Sequence, residues 1–277
     1  MRQTGKDQFV VGYVTDPNQP DVVLSHAVRL ARMIGKGLIL LHISDPRYHA
    51  LSPDEAEPLL QALCARSGLP GATYCALKGK TADVVGALPT ALGAVAVVAE
   101  AHKGERRRSP RNGKELLRNF ARCRTAYLVA QQACDEKQPT DVALSVDFRR
   151  ESKEKFVWSS YFARFAHSRV HALHYDYRDQ GLFTKWQANM GQLSRLFQGF
   201  KQEVDAYPMA NHSLFLDTNG VRTTAEQGWG LYITVTTNER DALEYLIGTQ
   251  EQRTVVNPWH IPVLFLNPRQ DLYVLCD

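Results

Sequence analysis

The chain has 277 residues with 44% hydrophobic and 22% charged content, which suits two ordinary globular domains of about 140 residues each. The formal net charge is +4. That sum hides an asymmetry. Residues 1–138 carry 19 Lys+Arg against 13 Asp+Glu, and residues 139–277 carry 14 against 16. The stretch 102–124 alone holds nine basic and two acidic residues, so a charge-seeking partner meets a local patch and an otherwise mixed surface. No apolar run approaches the roughly 20 residues needed to cross a bilayer, and MRQTGKDQFV carries no apolar signal core. A cytoplasmic location is expected, with no membrane association. Five cysteines without metal-type spacing read as reduced thiols.

In chain order, Phe9–Thr15 is an apolar strand ending at Asp16-Pro17. Asp21 opens a helix whose apolar positions Leu24, Ala27, Val28, Ala31 and Ile34 follow helical spacing, and Gly35 and Gly37 stop it. Leu38–Ile43 is the second strand. Ser52-Pro53-Asp54-Glu55 combines an N-cap, a first-turn Pro and a capping-box Glu, so a helix runs from there to about Gly68. Ala72–Leu77 is a short strand, and Thr81 begins a helix that Pro89 should kink or end. Val95–Glu100 is the fourth strand. A loop with Ala101 and Gly104 follows, then Gly113-Lys114 at a helix start, then the strand Ala126–Ala130. Short connections between strands and helices demand a mostly parallel sheet, right-handed crossovers and helices on both faces.

The order then returns. Residues 133–140 are a polar linker between a first domain at 1–132 and a second at 141–277. Val142–Val146 ends at Asp147, Phe156–Ala166 is helical, and Val170–Tyr175 matches the earlier second strand. His171 and His174 cannot serve one metal ion, because strand residues three apart point to opposite faces. Trp186, Met190, Leu193, Phe197, Phe200 and Val204 form an apolar stripe over about 183–204. Gly191 and Gly199 lie off the stripe, where close helix contact would explain them. Ser213–Asp217 reads as the third strand. Asn219–Gly230 is too short and Gly-broken for a full helix, so the repeat is expected to be eroded there. A fourth strand opening at Leu231, Gly248-Thr249 and the strand Pro262–Leu266 complete the second copy.

These anchors resemble the universal stress proteins in their tandem form. They are Thr15-Asp16, Leu40-Leu41-His42-Ile43, Gly79–Thr81, Val95–Glu100, Ala101-His102-Lys103-Gly104 and Gly113. The resemblance covers nearly the whole chain. It implies an α/β fold of two tandem Rossmann-like domains, each a five-stranded parallel sheet of order 3-2-1-4-5 with helices on both faces. A ligand would sit at the switch point between strands one and four. It also implies a stress-response binding or regulatory module, with ATP or another adenine nucleotide as the cofactor of its nucleotide-binding members.

In those members a Gly-x2-Gly-x9-Gly-Ser/Thr loop follows strand four. Its glycines let the backbone approach phosphate, and its hydroxyl adds a hydrogen bond at the helix start. Here Ala101 replaces the first Gly, eight residues separate Gly104 from Gly113, and Lys114 replaces the hydroxyl. Carried over residue by residue, Asp16 faces the ribose, Ile43 offers its backbone to adenine, and Ala101, His102, Lys103, Gly104, Gly113 and Lys114 surround the phosphates. In the second domain Asp147, Tyr175, Gly248 and Thr249 hold the matching positions. There Val235 and Asn238 stand in place of the loop glycines, and Glu239, Asp241 and Glu244 oppose phosphate. That site is expected to be degenerate.

Two readings of the first site stay open: a nucleotide site, and a degenerate loop on a scaffold or interaction protein. An adenylyl-transferring or ATP-hydrolysing enzyme on the same broad fold is a third class. Its Ser-Gly-Gly-x-Asp-Ser or His-x-Gly-His motif is not found after strand one, where Asp16-Pro17-Asn18-Gln19-Pro20 stands. No catalytic triad, Cys/His pair or carboxylate pair is supported by the spacing. Nucleic-acid binding through 103–124 has charge but no interleaved aromatics apart from Phe120. The strand at a sheet edge exposes unpaired backbone groups, so the last strands of the two halves are expected to pair as an internal pseudo-dimer. A homodimer and a protein partner of unspecified identity are the further partner expectations.

Overall fold

A computed structural model describes residues 8–135, 141–209, 215–236 and 250–268. Its contacts divide the chain into two compact units, Met1–Glu136 and Lys137–Asp277.

The first unit runs β1 (Phe9–Tyr13), α1 (Asp21–Ile34), β2 (Gly37–Ser44), α2 (Pro53–Arg66), β3 (Thr73–Lys78), α3 (Thr81–Ala91), β4 (Ala94–Glu100), α4 (Gly113–Phe120) and β5 (Ala126–Ala130). Its strands lie in the order β3-β2-β1-β4-β5, and every pairing is parallel. Strands β1, β2, β4 and β5 are buried over most of their length, as continuous apolar runs require when helices cover both faces. The edge strand β3 has three half-exposed and three exposed residues. The Ser52/Glu55 capping box is formed in full, with Pro53 in the first turn. Pro89 sits in the last turn of α3, which ends two residues later.

The second unit runs β6 (Val142–Ser145), α5 (Ser152–Ala166), β7 (Val170–His174), α6 (Gln180–Gln198), β8 (Val204–Pro208), α7 (Leu216–Glu226), β9 (Leu231–Val235), α8 (Gln250–Thr254) and β10 (Val263–Leu266). Its order, β8-β7-β6-β9-β10, repeats the first with the same parallel pairing. The α/β class, the parallel order 3-2-1-4-5 and its repetition are therefore present.

Three elements of the second unit differ from the sequence expectation. The third strand is Val204–Pro208, where 213–217 was expected, and Leu216 and Asp217 instead open an 11-residue helix. The repeat is not eroded here. The apolar stripe of α6 is real as far as Phe197, but the helix ends at Gln198 and Lys201 turns at φ 56°, so Val204 begins a strand. A Cβ at Gly191 would meet nothing within 4 Å, so close helix contact does not explain it.

Gly220 shows why α7 tolerates a helix breaker. A Cβ there would lie 2.5 Å from the Tyr232 hydroxyl and 2.6 Å from its ring. Tyr232 is fully buried and donates to Asp217 at 2.7 Å, so it has no room to move. Ala at this position gains up to about 1 kcal/mol of helix propensity and loses more to overpacking. Gly220→Ala is expected to destabilise the chain by about 1–2 kcal/mol, measured by urea unfolding.

Candidate functional site

The carboxyl ends of β1 and β4 meet where the resemblance places a ligand. Thr15, Glu100 and His102 meet there. Glu100, the last residue of β4, is 2% exposed and accepts a 2.6 Å hydrogen bond from the Thr15 hydroxyl. His102 Nε2 lies 3.1 Å from its other oxygen. A buried carboxylate thus occupies the mouth between the two strands, where it opposes phosphate. Asp16 is half-exposed, and its Oδ1 is engaged in a turn by the Asn18 amide at 3.0 Å.

The donors of the loop after β4 are also engaged. Ala101 is fully buried, and its N–H goes to the Ala130 carbonyl at 3.0 Å. His102 N–H goes to the Arg111 carbonyl at 3.0 Å. Gly104 has φ +82°, a conformation that favours glycine, so it keeps a structural reason to be Gly whatever the loop binds. At the start of α4, Asn112 Oδ1 accepts from Lys114 N–H at 3.1 Å and Glu115 N–H at 3.3 Å, and its Nδ2 donates to the Glu105 carbonyl. These are the amides that a helix N-terminus would turn toward an anion, and an internal carboxamide holds them. Around this core Lys103, Arg106, Arg107, Arg108 and Lys114 are exposed, while Arg111 pairs with Glu105 at 3.2 Å and donates to Gln19. Gly113 is buried at the first turn of α4.

A polar cluster invisible to the motif reading lies beside this crevice. Asp45, just after β2, is 1% exposed and accepts from Arg47 and from Thr81 N–H at 2.7 Å, which caps α3. Burial alone would raise the Asp45 carboxyl, but these bonds hold it well below the usual carboxylate range. Arg47 also reaches Asn119 at 3.0 Å and Glu115 at 3.5 Å. Glu115 is buried and held below its ordinary value, against the opposing effect of burial, by hydrogen bonds from Arg118 and Tyr48. Burial and Glu115 together push the Tyr48 hydroxyl up to about 12. Ile43 is 2% exposed, and its carbonyl accepts from Asp45 N–H at 3.0 Å. The structure therefore brings the expected residues to one end of the sheet, but with their polar groups turned on one another.

The second unit fills the equivalent end with charge. Asp147 is buried and binds Arg149 at 2.5 Å as well as the Ser152 hydroxyl. Lys155 Nζ donates to Ser145 Oγ at 2.9 Å, and that hydroxyl donates to Asp217 at 2.9 Å. Burial pushes the Lys155 ammonium down, opposed by Asp147 and Asp217. The Lys–Ser–Asp order resembles a hydrolytic arrangement, yet Ser145 is 0% and Lys155 2% exposed, so no substrate reaches the hydroxyl. Tyr175 accepts from Asn219 at 3.0 Å. Gly248 and Thr249, with Asn238, Glu239, Asp241 and Glu244, lie outside the described residues. His171 stacks on Trp229 at 3.9 Å between Asp141 and Asp205, and His174 lies against Trp186, so the two histidines have separate surroundings.

One sequence signal could have found part of this. Asp-x-Arg follows a strand at Asp45–Arg47 and again at Asp147–Arg149, and each Asp binds its Arg.

No protein-family model matches the sequence, and no curated protein matches it. Solved structures do match in fold. A universal stress protein from Archaeoglobus fulgidus superposes with a TM-score of 0.66 at 10% identity, over 95% of this chain and 97% of that one. A protein of unknown function from Pseudomonas aeruginosa PAO1 gives 0.59 at 15% identity, over 98% and 96%. The cytoplasmic domain of a prokaryotic cation chloride cotransporter gives 0.55 at 11% identity, over 94% and 95%. The chain thus shares its two-unit fold with these structures, which it matches almost end to end. Among the described residues no helix is long and apolar enough to cross a membrane, and no group of three or more His, Cys, Asp or Glu is placed to hold a metal ion.

Proposed function

We propose that this chain is a universal-stress-type binding and regulatory module that works without a resident nucleotide. The observation that carries this reading is the Asn112 carboxamide on the first amides of α4, with the Glu100 carboxylate buried in the adjacent crevice. A triphosphate would have to displace the first and approach the second. Each lost charge-assisted hydrogen bond forgoes about 1.5–3 kcal/mol, so the affinity expected from the bare fold falls away. The second unit supports the same reading, because Asp147, Lys155 and Asp217 compensate one another and need no ligand. Regulation then runs through surfaces and partners, with a stress-response role in the cytoplasm as the physiological setting.

A second reading is favoured by one feature, the exposed Lys103, Arg106, Arg107, Arg108 and Lys114 around Gly104. On it, one adenine nucleotide binds per chain, in the first unit. Titration calorimetry with ATP distinguishes the two. The first reading expects no saturable heat at about 100 μM protein, and mass spectrometry of small molecules released from the purified chain shows no stoichiometric nucleotide. Saturable heat of one site per chain, abolished by Gly104→Val and kept by Gly248→Val, would replace the first reading by the second.

A further inference from the structure

A helix that covers a sheet needs one apolar stripe, and α5 has two. Phe156, Phe162 and Ala163 are buried in the second unit. Val157, Tyr161 and Phe165 recur every four residues along another side and are 51%, 38% and 46% exposed. Tyr161 stacks on Phe165 at 6.0 Å and meets Trp158 edge-on at 5.6 Å, so the rings form one surface. Beside Val157 a groove of about 500 Å³ opens between α5 and α6, with Leu196 on its far wall. A contiguous exposed apolar surface marks an interaction site.

Charge selects the occupant. The groove is lined by Lys153 and Arg195 and by no carboxylate. The 19 residues of α6 include neither Asp nor Glu. Arg195 Nε donates to the Gly191 carbonyl at 3.1 Å, and Arg164 lies over the rings of Phe165 and Phe200 at 5.2 and 4.5 Å. Neither contact neutralises the guanidinium. The carboxylates at the starts of the two helices are already committed. Glu151 stabilises the Arg149 and Lys155 cations, Glu154 is engaged within the chain, and Asp179 accepts from Leu182 N–H at 2.8 Å as the cap of α6.

We propose that this face docks an amphipathic helix of a partner protein, its apolar stripe flanked by Asp and Glu. Apolar side chains three and four residues apart would enter the groove and lie on the rings, while the acidic flanks reach Lys153, Arg164 and Arg195. A second copy of this chain, related by a two-fold axis, would instead bring the same three cations together. An anionic bilayer answers the charge, but a flat surface leaves the groove unfilled. The inference concerns the second unit alone and holds under either reading of the first-unit crevice.

The test uses the full chain and a fluorescein-labelled helical peptide of about 20 residues, with Leu three and four positions apart and Glu on both flanks. Fluorescence anisotropy is expected to show one saturable site per chain. The same peptide with Lys in place of Glu is expected to bind at least tenfold more weakly. Lys153→Glu/Arg195→Glu is expected to invert that preference, gaining the Lys peptide as it loses the Glu peptide. Val157→Ser/Phe165→Ser, at two exposed side chains, is expected to weaken the Glu peptide at least tenfold while the circular dichroism spectrum and melting temperature stay unchanged. Should that variant fail to fold, the charge inversion still decides, because it leaves the apolar surface whole. Equal binding of both peptides, or of neither, would overturn the proposal. So would a dimer in sedimentation velocity that Val157→Ser/Phe165→Ser dissolves, which makes a second copy the occupant. Binding to phosphatidylserine vesicles that this variant loses, with no peptide bound, would assign the face to a membrane surface instead.

Discussion

Lys155→Met is expected to destabilise the chain by about 3–5 kcal/mol, because it leaves buried carboxylate without its cation. Met keeps the length and much of the volume of the side chain, so packing is a minor part of the loss. Asp217 is 6% exposed and Asp147 3%, and both stabilise the ammonium across the Ser145 hydroxyl and the β6–α5 turn. Removing one partner of such a set costs more than removing the set, since an apolar replacement of both partners leaves no charge to desolvate. The double variant Lys155→Met/Asp217→Asn is therefore expected to recover most of the stability, with Asn still able to accept from Ser145 and Tyr232. Guanidinium unfolding of the two variants beside the parent chain measures this. Equal losses in both would show that Lys155 acts through packing and not through charge.

Stability is also expected to fall as pH drops from about 6.5 to about 4, by up to about 3 kcal/mol from one side chain. Burial lowers the folded-state pKa of His26 to about 4, against the opposing pull of its hydrogen bond to the Gln132 carbonyl. A folded pKa below the unfolded one means that the unfolded chain takes up the proton first. The contribution is complete above the unfolded value, shrinks between the two, and is gone below the folded value. His26→Gln keeps a donor for the Gln132 carbonyl without a titrating ring, so its stability is expected to be flatter over this window. Urea midpoints at half-unit pH steps would show it. A parallel pH profile for parent and variant would assign the acid sensitivity elsewhere.

The parts of the fold that could be read from the sequence were those written in apolar runs and caps. Leu38–Ile43 and Ala126–Ala130 are buried strands because nothing polar but His42 interrupts them, and the Ser52/Glu55 box marks its helix without tertiary help. The third strand of the second unit was not legible. Val204–Pro208 is a half-exposed edge strand with alternating polar residues and a terminal Pro, and Val204 happens to continue the seven-residue spacing of α6. The candidate site shows the same division. Its glycines and basic residues were visible, but their engagement was not, because Asp45, Glu115 and Lys155 look in a sequence like any solvated charge. Only the fold reveals that each is buried against a partner brought from 10 to 67 residues away.

The Asn112 cap has a thermodynamic consequence for any anion approaching α4. Cap and anion compete for the same two amides, so the affinity observed is the intrinsic one multiplied by the fraction of molecules in which the carboxamide has let go. An Asn cap is worth about 0.5–2 kcal/mol, which translates into a roughly 2- to 30-fold reduction in apparent affinity. Linkage makes the trade reciprocal: whatever helix stability is surrendered by loosening Asn112 returns as anion affinity, and nothing outside the chain is needed to set the exchange rate. A partner that pulled residues 105–112 aside would thereby open the helix end as a by-product of docking, coupling a protein contact to an anion through a single carboxamide.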